Sequence, residues 1–334
     1  FFLPTARASV AITAGQPDMA LANDIPLSSL APNTAGSYRP ARAQAQAGII
    51  LSVPATLLLV ALVIGPAILV FFLSFTNASL GLAGIQFIGV ANYTRMLTDP
   101  GFAQSLRNTA LYVAVVVPTA IGWGLLVAVL IARSRFAVLY RTAYFLPVAA
   151  SLVALATAWE AILHPSLGFA NTLLQLLGAS PVRFLSDPAT AIYALAAIGV
   201  WQLVGFNMIL FLAGLSTIPE ELYEAATIDG ADRGLKRFLL VTWPMLAPVT
   251  VFVTVMTIIR AFSVFETVAV LTQGGPMKST SVVLYTFYEE GFRFFRVGYA
   301  SAISVSFFVF VTFLSLVQMR VSERRARWKA NGGQ

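Results

Sequence analysis

Six long apolar stretches alternate with short polar segments along the chain. A bilayer core of about 30 Å is crossed by about 20 apolar helical residues, and each stretch reaches that length. Prolines inside or beside the stretches are compatible with membrane helices, because neighbouring helices can satisfy the freed carbonyl groups. The pattern predicts an all-α membrane protein with six transmembrane helices, at residues 49–75, 109–132, 143–163, 189–215, 246–271 and 297–319.

The segments outside these stretches set the predicted domain boundaries. Residues 1–47 are rich in Ala, Pro, Ser and Gln and contain no sustained apolar run, so we expect a flexible N-terminal tail. Residues 48–320 are predicted to form the transmembrane domain. Residues 321–334 are predicted to form a basic C-terminal tail.

The composition supports a membrane location and excludes sites that depend on cysteine. Hydrophobic residues make up 58% of the chain and charged residues 10%, whereas a soluble domain carries roughly 25% charged residues. The absence of cysteine excludes disulfides, thiolate metal ligands and a cysteine nucleophile. The net charge of +7 comes from short clusters between apolar stretches, so it indicates membrane topology rather than a nucleic-acid partner.

The distribution of Lys and Arg predicts the orientation of the six helices. One side of the membrane receives the larger group, which is Arg7, Arg39, Arg42, Arg133, Arg135, Arg141, Arg233, Lys236, Arg237, Arg320, Arg324, Arg325, Arg327 and Lys329. The other side receives Arg95, Arg107, Arg183, Lys278, Arg293 and Arg296. Cytoplasmic loops carry the excess of Lys and Arg, so both termini are expected in the cytoplasm.

The loop between the fourth and fifth stretches, residues 217–244, has the signals of a helical hairpin. Thr217 and Glu220 have capping-box spacing, and Pro219 suits a first helical turn. Gly230 is placed to end this helix in a left-handed conformation. A second, basic helix would then lead to the fifth stretch. An ordinary structured loop would carry the same local signals.

The residues Glu224-Ala225-Ala226, followed by Gly230 and Pro244, resemble the EAA motif in the permease subunits of binding-protein-dependent ABC importers. Other segments resemble the same family in order along residues 50–320. They are Val90-Ala91-Asn92-Tyr93, Asp99-Pro100 with Phe102, Asn108-Thr109, Arg141 with Phe145-Leu146-Pro147, Gly168 with Asn171, Leu271-Thr272-Gln273-Gly274-Gly275-Pro276 with Thr280, and Gly298-Tyr299-Ala300. The chain is similar to the carbohydrate-uptake branch, which includes maltose and glycerol-3-phosphate permeases.

The resemblance implies a type I ABC importer permease fold in which the hairpin is the cytoplasmic coupling helix. In that family the hairpin sits in a groove of the ATPase subunit. The stretch from Gly230 to the residue before Pro244 is one residue longer than the family norm, with the extra residue near Gly234. This changes the expected register of Arg233 and Lys236 against the ATPase. The residues expected to couple are Glu221, Glu224, Ala225, Ala226, Asp229, Gly230 and Ala231.

The chain is expected to be a transport subunit rather than an enzyme. It contains no Gly-Lys dipeptide and therefore no P-loop, and we predict no catalytic residue, metal site or cofactor on it. The resemblance implies two ATPase subunits that bind ATP and Mg²⁺, and a second permease expected to form a heterodimer with this chain. It also implies an extracytoplasmic solute-binding protein and a location in the lipids of a prokaryotic plasma (inner) membrane.

Two segments are candidates for the path of a sugar or a glycerol-3-phosphate-like solute. Aromatic residues with neighbouring amides in the fourth stretch suit a polyol, although they equally suit helix packing or an interfacial anchor. Arg260 in the fifth stretch suits a phosphate or carboxylate, and it could equally pair with an acid on the partner permease. The solute therefore stays open between a neutral sugar and a phosphorylated polyol. The candidate residues are Trp201, Gly205, Met208, Thr257, Arg260, Ala261 and Val264.

Other ionisable residues and other protein classes were weighed against this interpretation. Glu160 lies where it can reach water, and His164 is expected to be satisfied at the interface. Arg260 and Glu266 are six positions apart and face different sides of one helix. A secondary, ion-coupled transporter remains the alternative, although no repeat relates residues 48–163 to 189–320. An intramembrane protease would need a Ser–His or Asp pair suitably placed within the spans.

Overall fold

The computed structural model describes residues 42–331 apart from 82–83, 133 and 232–233. These residues are almost entirely helical, with one isolated antiparallel bridge between Thr76 and Phe87. Five helical segments are long and apolar enough to cross a membrane, and a bent helix pair brings the number to as many as six. The all-α membrane fold is therefore confirmed. The five segments are Gly48–Leu73, Pro100–Ile131, Ala191–Leu215, Ala247–Leu271 and Val297–Arg320.

Fifteen α-helices follow one another in the described residues, joined in three places by π-helical turns. The α-helices are α1 Arg42–Leu59, α2 Gly65–Leu73, α3 Ala91–Thr98, α4 Pro100–Ile131, α5 Ala137–Ala149, α6 Leu152–Ile162, α7 Phe169–Leu176, α8 Ala191–Leu215, α9 Glu220–Ile228, α10 Gly234–Arg237, α11 Trp243–Met245, α12 Ala247–Phe262, α13 Glu266–Leu271, α14 Val283–Tyr288 and α15 Val297–Asn331. The π-helical turns are Val60–Ile64, Phe238–Thr242 and Glu289–Arg293.

The chain divides into two compact units, and the boundary along the sequence lies between Val60 and Ala61. In the first unit α1 already begins at Arg42, so the predicted tail boundary at residue 47 falls inside a helix. Residues 1–41, which make up most of that tail, lie outside the described residues, as do Arg133 and Arg233 of the orientation argument.

The second unit is built around α4 and α8. Helix α8 buries much of its length, including Leu195, Met208 and Phe211, and it packs against α4, α5 and α12. Helix α15 packs against α2, α3, α12 and α14 and continues to Asn331, through most of the predicted C-terminal tail. Many outward apolar side chains remain exposed, as expected where lipid replaces water as the surrounding medium.

The third predicted span is not one straight helix. Helices α5 and α6 are bent by 100° relative to each other, so the continuous helix expected at 143–163 is corrected. The backbone is extended at Ala150 and Ser151, with ψ of 153° and 126°. Because α5 packs on α8 whereas α6 packs on α13, each half follows a different neighbour. The fifth span also has a break in its helix, between the end of α12 at Phe262 and the start of α13 at Glu266.

Asp99 joins the start of α4 to the start of α15. Its Oδ1 accepts a hydrogen bond from the Gly101 N–H, and its Oδ2 accepts one from the Tyr299 hydroxyl, both at 2.8 Å. The Arg95 guanidinium lies 4.2 Å from the centre of the Tyr299 ring. Partial burial tends to raise the pKa of Asp99. The Tyr299 hydroxyl, backbone N–H groups and the Arg95 charge outweigh that effect and hold the pKa below its ordinary value of 3.8.

Asp99→Asn is expected to lower the thermal unfolding midpoint at pH 7, because the charge-assisted bond to Tyr299 is lost, at a cost of about 1 kcal/mol. The depressed pKa means that ionised Asp99 stabilises the fold above the unfolded pKa near 3.8. This stabilisation is lost as the pH falls through the lower folded pKa. The deficit of the variant should therefore shrink below about pH 4 when unfolding is measured in detergent.

The control is Asp187→Asn, at an exposed carboxylate that accepts a backbone hydrogen bond from the Ala189 N–H at 2.9 Å. If Asp99→Asn and Asp187→Asn lower the unfolding midpoint equally, both at pH 7 and below about pH 4, the role of the Asp99–Tyr299 bond is contradicted.

Candidate functional site

The hairpin after α8 forms, but its first helix does not begin as predicted. Helix α9 has Pro219 at its N-cap and no side-chain cap. The Thr217 hydroxyl instead donates to the Gly214 carbonyl at 2.8 Å, which satisfies the end of α8. The predicted capping box between Thr217 and Glu220 is therefore wrong, because Thr217 belongs to the preceding helix terminus.

The other end of α9 closes in the predicted way at Gly230, whose φ is +72°. The Ala231 N–H donates to the Ala226 carbonyl at 2.8 Å, and the Gly230 N–H donates to the Thr227 carbonyl at 3.1 Å. This pair of bonds is a Schellman motif, which requires the left-handed residue that glycine supplies most readily. The Lys236 ammonium adds a bond to the Gly230 carbonyl at 3.0 Å.

The inner face of α9 is docked on the membrane helices. Tyr223, Ala226 and Ala231 are buried in one apolar core with the ends of α4, α8 and α12. The Tyr223 and Thr242 hydroxyls share a hydrogen bond of 3.2 Å, and the Arg237 guanidinium lies 4.3 Å from the Tyr223 ring centre. The hairpin is therefore attached to the bundle by packing, and the π-helical turn Phe238–Thr242 connects it to α11.

The outer face of α9 combines acidic and apolar groups. Glu221, Glu224 and Ala225 are exposed, and the Ile228 side chain is 87% exposed. The predicted coupling set thus divides between two faces, because Ala226 and Ala231 point into the bundle while Glu221, Glu224, Ala225, Asp229 and Gly230 lie at the surface. Sequence reasoning missed Tyr223 and Ile228, which the helical period of the EAA segment would have placed on opposite faces.

The seven candidate solute-path residues lie in different environments. Met208, Thr257, Ala261 and Val264 are buried between helices. Gly205 is a packing position, because an added Cβ would collide with the carbonyl oxygen of Tyr144 on α5. Trp201 and Arg260 alone of this set are exposed.

Trp201 lines an aromatic groove of about 430 Å³ between α4, α5 and α8. Its ring meets that of Trp159 edge-on, with 5.4 Å between the ring centres. No charged residue lines the groove in the described part of the chain, so the groove offers ring faces rather than ion pairs. Its lining is Val115, Thr119, Trp123, Val127, Tyr144, Tyr193, Ala197, Val200, Trp201 and Val204.

Arg260 lies outside this groove. Its guanidinium stands 4.0 Å from the centre of the Phe206 ring, a cation–π contact that holds the exposed charge against α8. Glu266 is exposed at the first turn of α13, after the interruption that follows α12. Arg260 therefore presents an exposed positive charge next to α8.

The two ionisable groups of the α6 region are at the surface. Glu160 is exposed, in agreement with a carboxylate that can reach water. His164 is also exposed, and its Nδ1 accepts a hydrogen bond from the Leu167 N–H at 3.2 Å. His164 therefore stabilises a turn.

A second, polar cleft of about 440 Å³ was not predicted. The loop beside this cleft is stabilised by residues that carried the family resemblance. The Asn108 amide donates to the carbonyls of Lys278 and Ser281 at 2.9 Å. The Thr280 hydroxyl donates to the Gly275 carbonyl at 2.6 Å. These motif residues therefore stabilise a loop. The cleft is lined by Arg95, Thr98, Asp99, Gly101, Lys278, Ser281, Thr286, Glu289, Glu290, Phe294 and Arg296.

Comparison with known proteins places the chain among transport permeases. The probable ABC transporter permease protein YurN of Bacillus subtilis is 34% identical over 239 residues, which are 70% of this chain and 82% of that protein. The trehalose/maltose permease MalF of Thermococcus litoralis is 32% identical over 286 residues, 84% and 95% of the two chains. The sn-glycerol-3-phosphate permease UgpA of Agrobacterium fabrum is 33% identical over 247 residues, 73% and 83%.

A solved structure shares the fold. A chain of a bacterial ABC transporter involved in the import of the acidic polysaccharide alginate matches with a TM-score of 0.74 and 22% identity, over 85% of this chain and 96% of that chain. Residues 120–328, more than half of the sequence, match the family described as the binding-protein-dependent transport system inner membrane component. The chain belongs to that family of inner-membrane transport permeases.

Proposed function

We propose that this chain is one of two permease subunits of an ATP-driven importer, and that α9 couples it to partner ATPases. The observation that carries the proposal is the two-faced hairpin. Tyr223 and Ala226 fix α9 to the membrane helices, while Glu224 and Ile228 stay exposed on the opposite face. A helix held on one side and open on the other can pass a displacement of its docking partner to α8 and α12.

The partners follow from the same proposal. Two ATPase subunits bind ATP and Mg²⁺, a second permease completes the pathway, and an extracytoplasmic binding protein delivers the solute. A solved structure with the same fold is a bacterial alginate ABC transporter in complex with an alginate pentasaccharide-bound periplasmic protein, which supports this last partner. The Lys and Arg distribution supports cytoplasmic termini in a prokaryotic inner membrane.

The solute proposed is a carbohydrate or a glycerol-phosphate-like polyol. Relatives are named for arabinooligosaccharides, trehalose/maltose and sn-glycerol-3-phosphate. The aromatic groove at Trp201 suits stacking against the apolar face of a neutral sugar. Arg260 suits a phosphate through bidentate hydrogen bonds. A solute panel containing both chemistries distinguishes them, because Arg260→Gln should selectively impair transport of a phosphorylated solute.

The proposed mechanism is alternating access between two states with different affinities for the partners. ATP binding closes the ATPase pair and moves α9 with the helices packed on it, which opens the pathway to the binding protein. Hydrolysis then returns the helices to the inward-open state. This chain supplies the pathway and the coupling surface, and the partner ATPases supply the chemistry.

The test is a proteoliposome assay of the complex assembled with its ATPases, second permease and binding protein. Glu224→Lys is expected to lower solute-stimulated ATP hydrolysis and transport by about tenfold or more, equivalent to ~1.4 kcal/mol of lost coupling, because the charge on the exposed face of α9 is reversed. Both quantities are measured with the binding protein loaded with each candidate solute.

Asp187→Lys is the matched control, since it makes the same charge change at an exposed acid just before α8, far along that helix from α9. It should retain both activities. Transport that proceeds without ATPases and is unaffected by Glu224→Lys would instead support a secondary, ion-coupled carrier.

A further inference from the structure

A buried polar pair joins α8 to α12 within the bundle. Asn207 and Thr257 are both fully buried, and the Thr257 Oγ1 lies 2.9 Å from Asn207 Oδ1, to which it donates. The same hydroxyl is 2.7 Å from the Val253 carbonyl of its own helix, so its single proton is shared between these two acceptors. On the other side of Asn207 stands Gly124 of α4, where an added Cβ would lie 2.6 Å from the Asn207 Cβ. Three helices therefore meet at this pair.

The pair occupies a defined place relative to the hairpin. Asn207 precedes the end of α8 at Leu215 by about 12 Å of helix, and Thr257 follows the start of α12 at Ala247 by about 15 Å. The hairpin connects these two helix ends. An apolar core that includes Phe211, Tyr223 and Leu246 fills the space between the hairpin and the pair.

Apolar packing alone sets the register of two membrane helices weakly, because lipid tails solvate apolar side chains as well as other helices do. A hydrogen bond between helices is directional and contributes about 0.6–2 kcal/mol in membranes. Asn207–Thr257 is the side-chain hydrogen bond that crosses from α8 to α12 in the described residues. It therefore specifies how far one helix can slide along the other.

We propose that Asn207 and Thr257 are positioning residues that lock α8 and α12 in one register, so that displacement of the hairpin moves both helices together. The inference rests on the proposed coupling role of α9 and assigns a role to two residues beyond the docking surface. In this role Thr257, one of the candidate solute-path residues, acts through Asn207.

The test compares three threonine variants in the assembled complex. Thr257→Val keeps the side-chain shape and removes the hydroxyl, and it should lower the number of solute molecules transported per ATP hydrolysed by about threefold. Thr257→Ser restores the hydroxyl and should restore the ratio. Thr254→Val is the matched control, because the Thr254 hydroxyl donates at 2.7 Å to the Thr250 carbonyl of its own helix. It should leave the ratio unchanged.

A double variant separates coupling from folding. Replacing both hydrogen-bonding partners by apolar groups is nearly neutral for stability, so Asn207→Leu with Thr257→Val should assemble and still transport with the lowered ratio. A wild-type ratio in Thr257→Val or in the double variant overturns the inference, as does an equal loss in Thr254→Val. A wild-type complex that neither hydrolyses ATP nor transports would instead contradict the proposed function itself.

Discussion

Gly205→Leu is expected to prevent assembly of the membrane bundle, and Gly205→Ala to destabilise it by about 1–3 kcal/mol. A Cβ at this position of α8 would occupy the space of the Tyr144 carbonyl oxygen on α5. That oxygen is backbone, so relief requires α5 to move away from α8 rather than a side chain to rotate. The loss should appear as a lower thermal unfolding midpoint and a smaller monodisperse fraction after purification in detergent.

Gly122→Ala provides the matched control, because it lies in α4, is exposed and has no atom within 4 Å of an added Cβ. Alanine favours helix over glycine by about 0.5–1 kcal/mol, so this variant should be as stable as the wild type or more so. Equal behaviour of Gly205→Ala and Gly122→Ala would show that α5 and α8 are not in the close contact described.

Tyr223→Ala is expected to detach the hairpin and abolish solute-stimulated ATP hydrolysis. The substitution removes a buried ring, the hydrogen bond with Thr242 and the surface on which Arg237 stacks. Truncation of a buried aromatic residue costs about 3–5 kcal/mol, enough to free a short hairpin without unfolding the membrane helices. Faster limited proteolysis within residues 217–244 would report the detachment directly.

Two variants define what Tyr223 contributes. Tyr223→Phe keeps the ring and should cost only about 1 kcal/mol for the lost hydrogen bond. Ile228→Ala removes an apolar side chain of the same helix that is 87% exposed, so it should leave the protease resistance of the hairpin unchanged. Unchanged proteolysis of Tyr223→Ala would refute the anchoring role.

The elements that could be predicted from the sequence are those fixed by local chemistry. The apolar stretches are long enough to require membrane helices, and Gly230 sits where a left-handed residue ends α9. The bend between α5 and α6 could not be predicted, because hydropathy reports the length of an apolar run and not its direction. The two halves diverge because they pack on α8 and α13, which are distant in sequence.

The wrong cap prediction at the hairpin has a similar origin. Thr217 has the spacing of a capping residue, yet it completes the preceding helix, because both helix ends compete for the same hydroxyl. Met208, Ala261 and Val264 are apolar or small, as residues facing a pathway or another helix can equally be. Only tertiary structure distinguishes these two environments. Tyr223 was missed because it lies outside the Glu-Ala-Ala tripeptide, although it is buried on the same face of α9 as Ala226.

The π-helical turn Phe238–Thr242 affects how freely this region of the chain can vary in length. A turn closed by i→i+5 hydrogen bonds holds one residue more than an α-helical turn and leaves the helices on either side continuous. The extra residue that the sequence analysis expects between Gly230 and Pro244 would fit in this turn, downstream of Gly234. A chain shorter by one residue could close the same segment as ordinary α-helix. An insertion or deletion of one residue at this point should therefore be tolerated without rotating the exposed face of α9 or displacing the span that follows.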